Sequence, residues 1–243
     1  MNSFTPYLAG ELHKVNSRTV LLAAGLFMAA PFLGTLSMVI AKREMLAAGI
    51  LPYESIAQNI YGAWSALLYP LLCLILVQSV TLPEQETNSL RYLRSTAIRW
   101  RRFFVAKCIY VYAGIVVVSL VNTVLTSATL SYVASLQGLD YSGGHIFRQA
   151  ATAFAGMAGY CLPLVACQMV VCLLSSKAYL SFTLGLVLLV VGIPIVNLTD
   201  FVYNPYTLLI AAEKHGYLYP QLFLYATVLV AGAPWLFGWL TVR

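Results

Sequence analysis

Charged residues punctuate this chain sparsely, and six long windows contain none: Thr19 to Ala41, Ser55 to Pro83, Cys108 to Leu139, Gln149 to Ser176, Ala178 to Thr199 and Gly216 to Val242. Each is at least as long as the roughly 20 apolar residues a helix needs to cross about 30 Å of hydrocarbon. An Arg, Lys or Asp at mid-bilayer costs about 2.5 to 3.5 kcal/mol on insertion scales, so the windows read as membrane spans. Strands of a membrane barrel would alternate apolar and polar residues, and runs such as Leu184 to Val191 do not. The pattern predicts an all-α membrane protein with six transmembrane helices, over 19–41, 57–82, 104–136, 150–175, 178–198 and 218–241.

The segments between the spans add detail. Phe4, Leu8, Leu12 and Val15 recur at helical spacing, with Glu11, Lys14 and Asn16 opposite them. They predict an amphipathic interfacial helix over 3–17, lying on the headgroups and turning near Arg18 into the first span. The most polar stretch, Glu84 to Lys107, joins the second and third spans. Within it Thr87 and Asn88 can cap a helix over 87–100, with acids near its start and bases near its end, as the helix dipole favours. Leu90, Leu93 and Ala97 share one face of that helix, and Arg91, Arg94 and Ile98 another. Arg101, Arg102 and Lys107 read as bases that fix orientation and bind anionic lipid. In the fourth span Ala151, Ala155 and Gly159 form a small-residue face that permits close helix contact within the chain, with Pro163 expected to kink the helix beyond it. Only Ser175 to Ala178 separates the fourth and fifth spans, which predicts a tight hairpin. The segment 200–217, with Tyr203, Tyr206 and Tyr217 around a short helix capped by Asn204, reads as an extracellular interfacial anchor. No repeat or long linker divides the chain, so 1–243 reads as a single transmembrane domain.

Composition agrees and narrows the function. Hydrophobic residues make up 60% of the chain and charged ones 9%, against about a quarter charged in soluble domains. Soluble enzymes, disordered tails and disulfide scaffolds are excluded. A net charge of +6 would suggest nucleic acid in a soluble protein. With both termini in the cytoplasm, however, ten of the 14 basic residues lie inside and only Lys42, Arg43, Arg148 and Lys214 outside. The excess is then a topology signal of the positive-inside kind, and no nucleic-acid partner is expected. The first span lacks a signal-peptide cleavage pattern and is expected to stay. The five cysteines lie in or beside the spans without a Cys-x-x-Cys pair, and read as small buried apolar residues.

No phosphate loop occurs, so this chain is not expected to hydrolyse ATP itself. His13, His145 and His215 all fall outside the spans, which leaves no haem pair, metalloprotease cluster or serine-histidine pair inside the membrane. No catalytic residue and no metal ligand is expected. Every Asp and Glu is also outside the windows, so the usual titratable carrier of ion-coupled transport is missing. Gln78, Asn122, Gln168 and Asn197 are the main polar membrane residues and the candidates for a substrate path. Energy for transport would arrive from a separate subunit, through Glu84 to Lys107. Two other readings stay open: an ion-coupled carrier using backbone carbonyls at broken helices, and a non-transporting scaffold or sensor that recruits a cytoplasmic partner.

Three stretches carry a family likeness: Leu8-Ala9-Gly10-Glu11-Leu12-His13-Lys14 entering the first span, Trp64 to Pro70 in the second, and Glu86-Thr87-Asn88-Ser89-Leu90 continuing to Phe104-Val105-Ala106-Lys107. Together with the order of elements they resemble type-2 ABC transporter permeases (the ABC-2 family), in particular the small permeases of bacteriocin or lantibiotic immunity and bacitracin-type export. Where that family commonly has a proline in the turn before Ala-Lys, this chain has Ala97. The resemblance implies an exporter fold in which 87–100 is a cytoplasmic coupling helix. Asn88, Leu90, Arg91, Leu93, Arg94 and Arg99 would dock on a separate ABC ATPase subunit, with Glu84 and Glu86 steadying the approach. It further implies two ATPase copies holding ATP and Mg, no cofactor in this chain, and a second permease copy, identical or a sibling. The implied activity is export of a hydrophobic or amphiphilic substrate, such as an antimicrobial peptide in self-immunity or antibiotic resistance. The implied place is the bacterial cytoplasmic (inner) membrane, multi-pass among its lipids with both termini cytoplasmic.

Overall fold

The computed structural model describes residues 17–86, 100–175, 177–198 and 204–210, with 227–228, 231–233 and 235 near the C-terminus. The interfacial helix over 3–17, the coupling helix over 87–100 and the last span over 218–241 fall almost entirely outside the described residues. Those described form seven helices and no strand: α1 (Ser17–Ala41), α2 (Arg43–Ala47), α3 (Tyr53–Ala63), α4 (Tyr69–Glu86), α5 (Trp100–Leu136), α6 (Gly143–Leu174) and α7 (Ala178–Leu198). A π-helical turn, Trp64–Leu68, joins α3 to α4 in one continuous run. Three of these stretches are long and apolar enough to cross a membrane: Tyr53–Pro83, Arg102–Leu136 and Gly143–Leu174.

Local chemistry sets the helix ends. α2 closes on Gly49 at φ 69°, where Gly49 N–H bonds the Leu46 carbonyl and Ile50 N–H the Met45 carbonyl. α5 closes the same way on Gly138 at φ 66°, with bonds from Gly138 to Ser135 and from Leu139 to Ala134. Both are left-handed glycine caps that satisfy the last free carbonyls of a helix. α6 begins at Ser142, whose hydroxyl accepts from the His145 N–H at 3.3 Å, the usual role of a serine N-cap. The connections at this end of the bundle hold one another: Gln137 Nε2 donates to the Leu51 carbonyl, and the Tyr53 and Tyr141 rings lie 5.2 Å apart.

α6 is the central helix, with 72% of its most apolar window buried against 39% for α5. It packs most extensively on α5 and α4, while α7 packs on α4 and α6, and α1 on α5 and α4. Its inward face is Ala150, Phe154, Met157, Cys161, Leu164 and Val165. Ala155 and Gly159 point outward instead, and a Cβ on Gly159 would meet nothing within 4 Å. The expected small-residue contact within the chain is therefore not made among the described residues, because Phe154 and Met157 give the adjoining stripe far more apolar area to bury. Close approach is made by α7, whose Gly185 and Gly192 face Gln168 and Asn204.

Of the segment 200–217 expected as an interfacial anchor, residues 204–210 are described. Of the stretch expected to anchor the outer surface, Tyr206, Thr207, Leu208, Leu209 and Ile210 are buried. Asn204 fixes the turn: its side-chain oxygen accepts from the Tyr206 N–H at 3.1 Å and its nitrogen donates to the Leu188 carbonyl at 3.2 Å. The buried side chains that follow this capped turn pack against α7, where Gly192 faces Asn204 and Thr207.

Candidate functional site

The π turn organises the first part of the polar interior. Pro70 cannot donate to the chain, which interrupts regular bonding just ahead of it, and Tyr69 N–H instead bonds the Trp64 carbonyl five residues back. That wide turn brings Trp64 and Tyr69 onto one face, their rings 5.4 Å apart, and Phe154 of α6 packs on both at 6.0 and 6.2 Å. The Tyr69 hydroxyl shares a 2.6 Å hydrogen bond with Ser119 of α5. Asn122, one turn further along α5, is 2% exposed. Its amide lies within weak hydrogen-bonding reach of that hydroxyl, and its Nδ2 makes no closer hydrogen bond among the described residues.

Beside Asn122 lies a small pocket of about 20 Å³ lined by Phe32, Thr35, Trp64, Asn122, Thr126 and Thr129, among others. Thr35, Ile60 and Trp64 also line a larger cleft of about 520 Å³ between α1 and the α3–π run, which Gly34, Met38 and Ile56 help to wall. Its lining is chiefly apolar, and among the described residues no charged one lines either space.

A second polar cluster joins three helices and the returning segment. Tyr206 donates to Gln168 Oε1 at 2.6 Å, and Gln168 Nε2 donates to the Ser181 carbonyl at 3.0 Å. Ser181 Oγ in turn donates to Gln78 Oε1 at 3.2 Å, with the Cys172 thiol also directed at that oxygen at 3.5 Å. Two of the four residues expected along a substrate path, Gln78 and Gln168, thus belong to one satisfied network. Asn122 lies apart from it, and the side chain of Asn197 on α7 lies outside those described. No local pattern marks Tyr206 as a member, since its partner is 38 residues away; Cys172, one helical turn beyond Gln168, could have been found from spacing.

The third feature sits where α4 and α5 meet. Lys107 is fully buried, its ammonium donates to the Val80 carbonyl at 3.0 Å, and it lies 5.0 Å from the Phe103 ring centroid. The expectation that Lys107 is a loop base facing lipid headgroups is thereby corrected. The lysine stands within the continuous helix α5, with α4 alongside. Glu84 and Glu86 fall on the last turn of α4, their side chains outside those described, as are Asn88, Leu90, Arg91, Leu93, Arg94 and Arg99.

Helices of membrane-crossing length around a polar interior, in which Lys107 is the one buried charge among the described residues, define a polytopic membrane protein. The family model for "ABC-2 family transporter protein" matches residues 8–229, and the chain belongs to that family. Membership makes it a membrane permease-type protein that partners an ABC ATPase. No curated protein and no solved structure matches the chain.

Proposed function

We propose that this chain is the membrane-spanning permease subunit of an ATP-driven exporter of hydrophobic or amphiphilic substrate, with antimicrobial peptides as the cargo class and self-immunity as the setting. Each copy contributes six spans, pairs with a second permease, identical or a sibling, and sits over two ATPase copies in the bacterial cytoplasmic membrane with its termini inside. The observation that carries this reading is the chemistry of the interior. Among the described residues Lys107 is the one buried charged side chain, and no carboxylate is buried. An interior of amides, hydroxyls and aromatic rings can line a path for amphiphiles, but it offers no titratable acid to carry a coupling ion. The drive then comes from outside the bundle. The chain that links α4 to α5, residues 87–99, is the natural contact, because both helices flanking it are fixed to each other through Lys107.

Copurification tests this directly. Tagged chain expressed with its ATPase should retain a partner bearing a phosphate loop, and ATP hydrolysis in proteoliposomes should rise with a membrane-associated peptide substrate. Reversing Arg91 and Arg94 to Glu should abolish that association while leaving membrane insertion intact. Undiminished association in the double variant would refute the assignment of 87–99 as the coupling element. A retained partner with no phosphate loop would refute the exporter itself.

A further inference from the structure

We propose that α4 and α5 move as one lever between the link 87–99 and the centre of the bundle, and that Lys107 is the positioning residue that clamps its driven end. Three contacts join the two helices. At one end the Lys107 ammonium donates to the Val80 carbonyl at 3.0 Å. Further along, a Cβ on Gly114 would lie 3.6 Å from Leu76 Cδ1, and beyond that the Tyr69 hydroxyl and Ser119 Oγ share a 2.6 Å hydrogen bond. As the α4 member falls from Val80 to Leu76 to Tyr69, the α5 member rises from Lys107 to Gly114 to Ser119, which is one antiparallel register held throughout. The two polar bonds stand about 17 Å apart along the helices at 1.5 Å per residue. Both are buried, where no water competes for them. A single bond would let one helix pivot on the other; two at this separation also fix tilt and offset.

The positions of the two clamps give the lever its ends. Val80 stands one turn before the end of the span Tyr53–Pro83, and Lys107 little more than one turn after the start of the span Arg102–Leu136. Their bond therefore ties together the two helix ends that 87–99 joins. An apolar side chain of similar length would fill the place of Lys107 without the cost of desolvating an ammonium, so packing does not account for the charge, and an ionisable group inside a span marks a working part. At the other end Phe154 of α6 packs on Trp64 at 6.0 Å and on Tyr69 at 6.2 Å, so the lever bears on the central helix. With both clamps made, a displacement of 87–99 moves α4 and α5 together and is delivered to that aromatic cluster. Without Lys107 it splays the two helix ends and is absorbed there. This role rests on the reading that a separate ATPase contacts 87–99.

The test uses the full chain expressed with its ATPase and held in nanodiscs, with nucleotide trapped by ATP and vanadate, so that no export substrate is needed. Hydrogen exchange followed by mass spectrometry on peptides covering 61–69 and 115–123 reads the far end of the lever. Trapping should change their exchange several-fold in the wild-type complex. Lys107→Met keeps the apolar stem and loses the donor; it should trap nucleotide as the wild type does, yet reduce the far-end change about fivefold, the order expected for one lost hydrogen bond. Lys107→Arg keeps a charged donor and should retain most of the change; a fall as deep as that of the Met variant would overturn the assignment to the donor. Ser119→Ala opens the deeper bond by removing one small hydroxyl, and it should reduce the change as well, which keeps the lever testable should Lys107→Met not fold. An undiminished far-end change in Lys107→Met or in Ser119→Ala would overturn the proposal and leave these bonds purely structural. So would loss of nucleotide trapping in step with the far-end change, which would place Lys107 in the ATPase contact itself, and so would a wild-type complex that traps nucleotide with no change at 61–69 and 115–123. A wild-type chain that retains no partner with a phosphate loop would instead remove the export reading, and this role with it. Because variants are compared only as trapped complexes, the two failures are told apart.

Discussion

An ammonium group inside a helix bundle must replace its hydration with fixed acceptors, and Lys107 does so with the Val80 carbonyl at 3.0 Å and the Phe103 ring at 5.0 Å. Truncating Lys107 to Ala removes buried packing as well as the bond. The expected loss is about 2–4 kcal/mol, read as a drop of several degrees in thermal unfolding in detergent; Lys107→Met, which keeps the apolar stem, should lose less. The Tyr206 hydroxyl offers a cleaner single bond. Tyr206→Phe should cost about 0.5–1.5 kcal/mol, and a double-mutant cycle with Gln168→Ala should show positive coupling. Additive losses would mean the 2.6 Å contact contributes nothing of its own. These positions also show where sequence reading stops. Lys107 borders a charge-free window and so reads as a loop base, because a sequence shows a residue's neighbours along the chain but not the carbonyl of a helix 27 residues away.

At the level of elements, glycine placement separates packed helix positions from exposed ones. A Cβ at Gly185 would come within 2.7 Å of Gln168 Oε1 and 2.6 Å of Leu74 Cδ2, whereas one at Gly159 would meet nothing within 4 Å. Gly185→Ala should therefore destabilise by about 1–3 kcal/mol through overpacking. Gly159→Ala should be neutral or stabilising by up to about 1 kcal/mol, since alanine is the better helix former. Thermal unfolding of the two variants side by side checks the sign, and the reverse order would mean α7 does not approach α6 as described. The small stripe Ala151, Ala155, Gly159 was legible as a stripe. Which helix makes the close approach was not, because spacing alone marks a face and says nothing of what lies opposite it.

For the whole molecule, α6 runs from the connection at Asp140 to the turn at Lys177, and its length and hydropathy suit a membrane crossing. Asp140 and Lys177 are both exposed, and the single variants Asp140→Cys and Lys177→Cys should react with a membrane-impermeant maleimide from opposite sides, Lys177→Cys from the cytoplasm. The native cysteines are buried or half-buried and should remain quiet. Labelling of both from one side would remove α6 as a span and the orientation with it.

The sequence alone determined that this chain lives in a membrane, that it is helical, where its charge-free stretches fall, and which family's order of elements it follows. Those properties depend on residues close together in the chain, on the free energy of moving apolar groups out of water and on the cost of carrying charge into hydrocarbon. Only the tertiary structure decided that Gln78 and Gln168 both engage Ser181 of α7 while Gln168 also accepts from Tyr206, that Lys107 turns inward, and that Asn122 is buried beside Tyr69. Each of those outcomes depends on which groups meet across distant turns of chain, where a hydrogen bond made or left unmade is settled by geometry that local pattern does not contain.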